Sequence, residues 1–285
     1  MEFIYSTRNP EVPTAYARLI AMHTQCEILL PRCPEEEARG LVDKAWDLVL
    51  AAEKKYNLYN PDSELSNVNR NAAANDVEVD DEMFMVLQLC STFRTATRGW
   101  FDISAHSGSR SALAGQWILD ASRRTVRFSR QGMTLDLGGF AKGFVLEQVS
   151  RLLSPTGCGI ISFGGSSTYA IGKHPFGQDW PVSVPHLYYK DRLARTFHLS
   201  DCSLSVSGKD SSGRGHIIDP NTGNTVEKEG MVAVQGSSAM VTEVLSTALW
   251  IAPHSQRKEI LSSFDGYEAW EILCLPDGKT RVLKI

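Results

Sequence analysis

The chain has 285 residues, 42% hydrophobic and 22% charged, with 22 Gly, 12 Pro and a formal net charge of −4. This balance is that of a globular protein: it excludes disordered and fibrous classes, gives no reason to expect a nucleic-acid partner, and includes no run of about 18 apolar residues that would span a membrane. A chain this long buries a sizeable core without staples, so the six scattered cysteines, none in a CxxC pair, are expected to be reduced thiols packed as small hydrophobes. The start, MEFIYSTRNPEVPTAYARLIAM, has no basic segment followed by an apolar core, which sets the expectation of a cytoplasmic protein.

In chain order, TAYARLIAMHTQCEILL (14–30) reads as a strand or strand pair ending at Pro31. A helix follows from near Pro34, with acids in its first turn, lysines at its end, and an apolar stripe of Ala38, Val42, Ala45, Leu48 and Val49. NPDSELSNVNRNAAAND (60–76) is polar and turn-rich. DDEMFMVLQLCSTFRTAT (80–97) is a second helix, closed by Arg98-Gly99 as a glycine C-cap. The short runs WILD, TVRFS and MTLDLG between 116 and 138 suggest strands. GGFAKGFVLEQVSRLLSPTG (138–157) starts as a glycine turn and becomes a helix that stops at Ser154-Pro155. GIISFGGSSTYAIG, PVSVPHL, TFHLS, CSLSVSG and MVAVQG are further strands. SSAMVTEVLSTALWIA (237–252) is a buried helix, and EAWEILCLPDGKTRVLKI (268–285) is a hairpin about Asp277-Gly278. Without regular βαβ alternation, these elements predict an α+β or mixed α/β domain rather than a Rossmann fold.

Several clusters combine glycines or turns with ionisable residues. In RGWFDISAH, Asp102 is either a ligand contact or an ordinary turn aspartate. In LDLGGFAKGF, Gly138 and Gly139 lead into a helix whose first turn carries Lys142, the makings of an anion cradle or of a tight strand-to-helix turn. The loop SGKDSSGRGHIIDPNTG delivers His216 between a flexible stretch and a sharp turn. SFGGSS (162–167) adds a glycine pair that lines a ligand or packs on a strand. Glu243 and Thr247 stand one helical turn apart on one face; taken alone, the pair reads as a hydrogen bond on the helix surface, with a two-oxygen grip on a hard cation as the alternative.

Taken together and in order, these segments resemble the ApbE family, the FAD:protein FMN transferases. The resemblance runs from about Met22 to Ala252. It is carried by Met22-His23-Thr24, NLYNPDSELSNVN (57–69), TRGWFD (97–102), DLGGFAKG (136–143), GGSSTYAIG (164–172), SGKDSSGRGHIIDPNTG (207–223) and EVLSTA (243–248). It implies a single ApbE-like, T-fold-related domain over 1–285, with mixed sheets flanked by helices. It implies an enzyme that binds FAD with Mg²⁺, releases AMP and attaches FMN through a phosphoester to a Ser or Thr of a flavoprotein carrying a D-G-x-[ST]-[SG]-A-[ST] type motif. The Mg²⁺ ligands implied are the Gly139 carbonyl, the Glu243 carboxylate and the Thr247 hydroxyl. The flavin and adenosine would lie against Met22, Tyr59, Trp100, Phe101 and Asp102, with Asp136, Lys142 and Ile218 also in contact. Lys142 is assigned to a phosphate oxygen and His216 to the acceptor hydroxyl's proton. A flavin-storage protein and an FAD diphosphatase are the alternatives. Two residues depart from the family pattern: Glu243 stands where the family has Asp, and His23 where it has Gly.

Overall fold

The computed structural model describes residues 1–105, 116–208 and 217–285. In chain order its strands and helices are β1 (Glu2–Ser6), β2 (Thr14–Ala21), β3 (Thr24–Pro31), α1 (Glu35–Tyr56), α2 (Glu64–Asn71), β4 (Val77–Glu78), α3 (Asp81–Ala96), β5 (Trp117–Asp120), β6 (Thr125–Phe128), α4 (Ala141–Leu153), β7 (Gly159–Phe163), β8 (Ser167–Ile171), β9 (Trp180–Pro185), β10 (Leu193–Leu199), β11 (Cys202–Gly208), β12 (Met231–Gly236), α5 (Ala239–Ile251), α6 (His254–Leu261), β13 (Glu268–Cys274) and β14 (Thr280–Lys284). None of the helices is long and apolar enough to cross a membrane among the described residues.

Nine strands form one sheet in the order β1-β2-β3-β7-β8-β11-β12-β13-β14; β4-β6-β5 and β10-β9 form two small ones. The α+β expectation holds, and the mixed sheet narrows to an antiparallel one, since every ladder described pairs antiparallel strands. The period-2 alternation of strand side chains decides which layer each residue serves. Val232 and Val234 of β12 face α5 in one apolar cluster, whereas Met231 and Ala233 face Trp180, Val184, Phe197 and Leu199 of the β9–β10 ribbon in another. The largest cluster joins β2, β3 and β7 to α1, α3 and α4. All six thiols are free; four are buried, and burial pushes that of Cys26 up to about 12.

Two readings need correction. The polar stretch after residue 60 contains α2, capped by the Ser63 hydroxyl, which accepts from the Ser66 N–H at 3.0 Å, with Leu65 and Val68 buried. Residues 133–138 are not a strand, because the backbone of Leu135 is satisfied by a side chain: its N–H donates to Asn69 Oδ1 (2.7 Å) and its carbonyl accepts from Asn69 Nδ2 (2.9 Å). The segment after Pro253, for which the sequence set no expectation, forms α6. The predicted C-cap holds, with Gly99 at φ +83° donating its N–H to the Arg94 carbonyl.

Candidate functional site

The floor of the site is the crossing of α4 and α5. Gly143 makes it possible: a Cβ built there would lie 2.6 Å from both the Ala239 carbonyl oxygen and Glu243 Cβ. With no side chain in the way, α4 lies against α5, and Lys142 Nζ sits 3.0 Å from Glu243 Oε1. The other carboxylate oxygen, Oε2, accepts hydrogen bonds from Ser167 Oγ of β8 (2.6 Å) and Ser205 Oγ of β11 (2.8 Å). Ser166 and Ser167 hydroxyls lie 3.3 and 3.4 Å from Lys142 Nζ. Glu243 is 4% exposed, and a buried carboxylate persists only when paired and hydrogen-bonded in this way.

Glu243 belongs to a longer polar seam. Alternate β11 residues Ser203, Ser205 and Ser207 share one strand face and meet a stripe of α5. Ser203 Oγ accepts from Thr242 Oγ1 at 3.1 Å. Ser246 Oγ lies 2.9 Å from Ser205 Oγ and 2.8 Å from Ser207 Oγ, which in turn is 3.3 Å from Thr247 Oγ1. A chain of hydroxyls therefore links Glu243 to Thr247 across the interior. The two residues do not simply hydrogen-bond on an exposed helix face.

Above this floor is a cavity of about 1440 Å³, larger than the roughly 300–1,000 Å³ of ordinary small-molecule pockets. Met22, Tyr59, Trp100, Phe101, Asp102, Asp136, Gly139, Lys142, Ile218, Glu243 and Thr247 all line it. His216 lies outside the described residues. Met22 and His23 form the tight turn between β2 and β3, both at positive φ (52° and 57°), a conformation unusual for residues with side chains. Glu53 Oε1 of α1 holds that turn by accepting the Met22 N–H at 2.7 Å. The His23 ring meets Tyr59 edge-on at 6.0 Å, and Tyr59 is 75% exposed. Trp100 Nε1 donates to Gln256 Oε1 at 2.7 Å. Asp102 Oδ1 accepts from the Ser104 N–H and hydroxyl, while Oδ2 has Arg94 Nε 2.8 Å away as an ion pair that is not aligned as a hydrogen bond. Asp136 accepts the Gly138 N–H at 2.7 Å, folding the glycine turn ahead of α4.

The donor chemistry at the floor suits a hard divalent cation. Thr247 Oγ1 faces Gly139, 3.8 Å from where a Cβ of that glycine would stand, and the Glu243 carboxylate opens on the same cavity. Among the described residues no three His, Cys, Asp or Glu side chains gather as a metal cluster.

Sequence reasoning missed Glu53, the β11 serines, and the ribbon connection whose His186, Tyr188 and Lys190 close one wall. The serines were findable, since S-x-S-x-S on a strand puts three hydroxyls on one face. The ribbon connection carries no pattern that marks it as a wall.

The model of the ApbE family matches residues 22–270, and the chain belongs to that family. A protein of Chlamydia trachomatis named FAD:protein FMN transferase is 24% identical, with 75% of each chain covered. A protein of Treponema pallidum with the same name is 22% identical, covering 92% of this chain and 84% of its own length. Among solved structures, the flavin transferase ApbE from Vibrio cholerae superposes with a TM-score of 0.80 at 18% identity, covering 96% of this chain and 97% of that one. Identity that low establishes a shared fold.

Proposed function

We propose that this chain, working as a single domain, is a Mg²⁺-dependent FAD:protein FMN transferase that moves FMN from FAD to a Ser or Thr hydroxyl of a flavoprotein. The observation that carries the proposal is the meeting, on the floor of one large cavity, of Lys142, the glycine turn before α4, and Glu243 with Thr247. The names of the relatives support it.

The helix start supports the phosphate side of the reading. α4 has no side-chain N-cap and no acid in its first turn, whereas α1 begins with three glutamates and α3 is capped by Asp80. The Ala141 N–H is taken by the Leu137 carbonyl at 2.7 Å, so the positive group that this helix start offers an anion in the cavity is Lys142. Gly139, Glu243 and Thr247 would hold Mg²⁺, which when bound supplies positive charge against the diphosphate as its bond breaks. Lys142 then contacts a phosphate oxygen, the Tyr59 and Trp100 rings border the space for the flavin and adenosine, and His216 takes the acceptor's hydroxyl proton. The acceptor oxygen forms a bond to the FMN phosphorus, the bond to the AMP oxygen breaks, and AMP leaves with that electron pair.

The test is to incubate the protein with FAD, Mg²⁺ and an acceptor bearing the motif. Fluorescent flavin that stays with the acceptor on a denaturing gel, with AMP released in equal amount, is expected. AMP and free FMN without labelled acceptor would replace transfer by hydrolysis, and bound FAD without AMP would replace it by storage.

A further inference from the structure

Glu243 is held asymmetrically. Oε2 already accepts two hydroxyl hydrogen bonds, from Ser167 and Ser205. A carboxylate oxygen offers about two lone-pair sites, so Oε2 has little room for a cation. Among the described residues Oε1 is partnered by Lys142 Nζ alone, and Lys142 is the more exposed of the two, with 27% of its side chain accessible against 5% for Glu243. The ammonium ends a flexible stem, whereas the carboxylate is fixed by two strands. Ser166 and Ser167 hydroxyls at 3.3 and 3.4 Å give the ammonium neutral company, and among the described residues Glu243 is the one carboxylate it pairs with.

We propose that Lys142 is the internal counter-cation of Glu243, competing with a divalent cation for Oε1, and that Ser167 and Ser205 are positioning residues that keep Oε1 turned toward the cavity. This rests on the Glu243–Thr247–Gly139 cation site given above. When the divalent cation is taken up, the Lys142 ammonium leaves Oε1 for the cavity, where an anionic ligand receives it. Cation uptake and readiness of Lys142 for phosphate are then one event.

The experiment measures Mn²⁺ binding to the full chain without FAD or acceptor, by calorimetry and by the loss of the free-Mn²⁺ electron paramagnetic resonance signal. Lys142→Met is expected to bind Mn²⁺ about tenfold tighter, because a buried carboxylate loses its resident cation. Lys142→Arg keeps a cation and is expected to stay within about threefold of the wild type. Ser167→Ala/Ser205→Ala is expected to bind about threefold to tenfold weaker, because an untethered carboxylate must be ordered on binding. Unchanged or weaker binding by Lys142→Met, or tighter binding by the double alanine variant, overturns the proposal. If Lys142→Met folds only with Mn²⁺ present, the same conclusion follows, and failure to fold in millimolar Mn²⁺ overturns it. Glu243→Gln separates the two levels: if it binds Mn²⁺ as the wild type does, the metal assignment itself is wrong.

Discussion

Glu243 and Asp102 are both buried carboxylates on the same cavity, each beside one basic side chain, with two hydroxyl donors on Glu243 and one hydroxyl and one backbone N–H on Asp102. Their partners differ in kind. Asp102 is closed locally: Ser104, two residues on, donates twice, and Arg94 of the preceding helix reaches back with its guanidinium 5.7 Å from the centroid of the Trp117 ring. Glu243 is closed by residues far away in sequence, Ser205 and Ser167 at separations of 38 and 76. Its cation, Lys142, lines the cavity, and Arg94 does not. A carboxylate whose countercharge is tied back into the fold makes a turn rigid. One whose countercharge stands in the cavity can exchange that partner for a ligand.

The sharpest way to break this contrast is Glu243→Ala. Transfer of FMN is expected to fall by about a thousandfold, roughly 4 kcal/mol of lost transition-state stabilisation, while the fold is retained. Steady-state flavinylation assays with circular dichroism on the same sample check both halves. Arg94→Met should do the reverse: it strands Asp102 and lowers stability by about 3 kcal/mol, read by denaturant unfolding, with activity per folded molecule within about threefold of the wild type. Activity lost with stability intact would show that Asp102 serves chiefly as the ligand contact expected from the sequence. The smallest effect is expected from Gly143→Ala. Its methyl would press on the Ala239 carbonyl and Glu243 Cβ, costing about 2 kcal/mol, partly offset by up to about 1 kcal/mol of better helix propensity. Because that methyl moves α4 away from α5, activity should fall more than stability does. Parallel losses would mean that the Lys142–Glu243 spacing is not set at this crossing.

Legibility followed the range of the interactions. The cap at Gly99, the hairpin at Asp277-Gly278 and the helices α1, α3, α4 and α5 are written in residues a few positions apart, and so were readable. α2 was missed because only Leu65 and Val68 mark its buried side, and its Ser63 cap looks like turn chemistry. Residues 133–138 were misread as a strand because alternation cannot reveal that Asn69, from another element, takes the ladder's place. Eleven of the twelve site residues named from sequence line one cavity, and the twelfth, His216, lies outside the described residues.

The sequence by itself determined most of the local elements, the ordered motifs and, through them, the family. It also put Glu243 and Thr247 on one helical face, since 3.6 residues per turn requires it. Tertiary structure decided what that face meets. The pleat of β11 turned three serines toward α5, and the bare Gly143 let α4 bring Lys142 to within 3.0 Å of Glu243. A helix repeat fixes which residues stand together, but the partner that neutralises a buried charge is fixed only when distant strands pair and two helices cross.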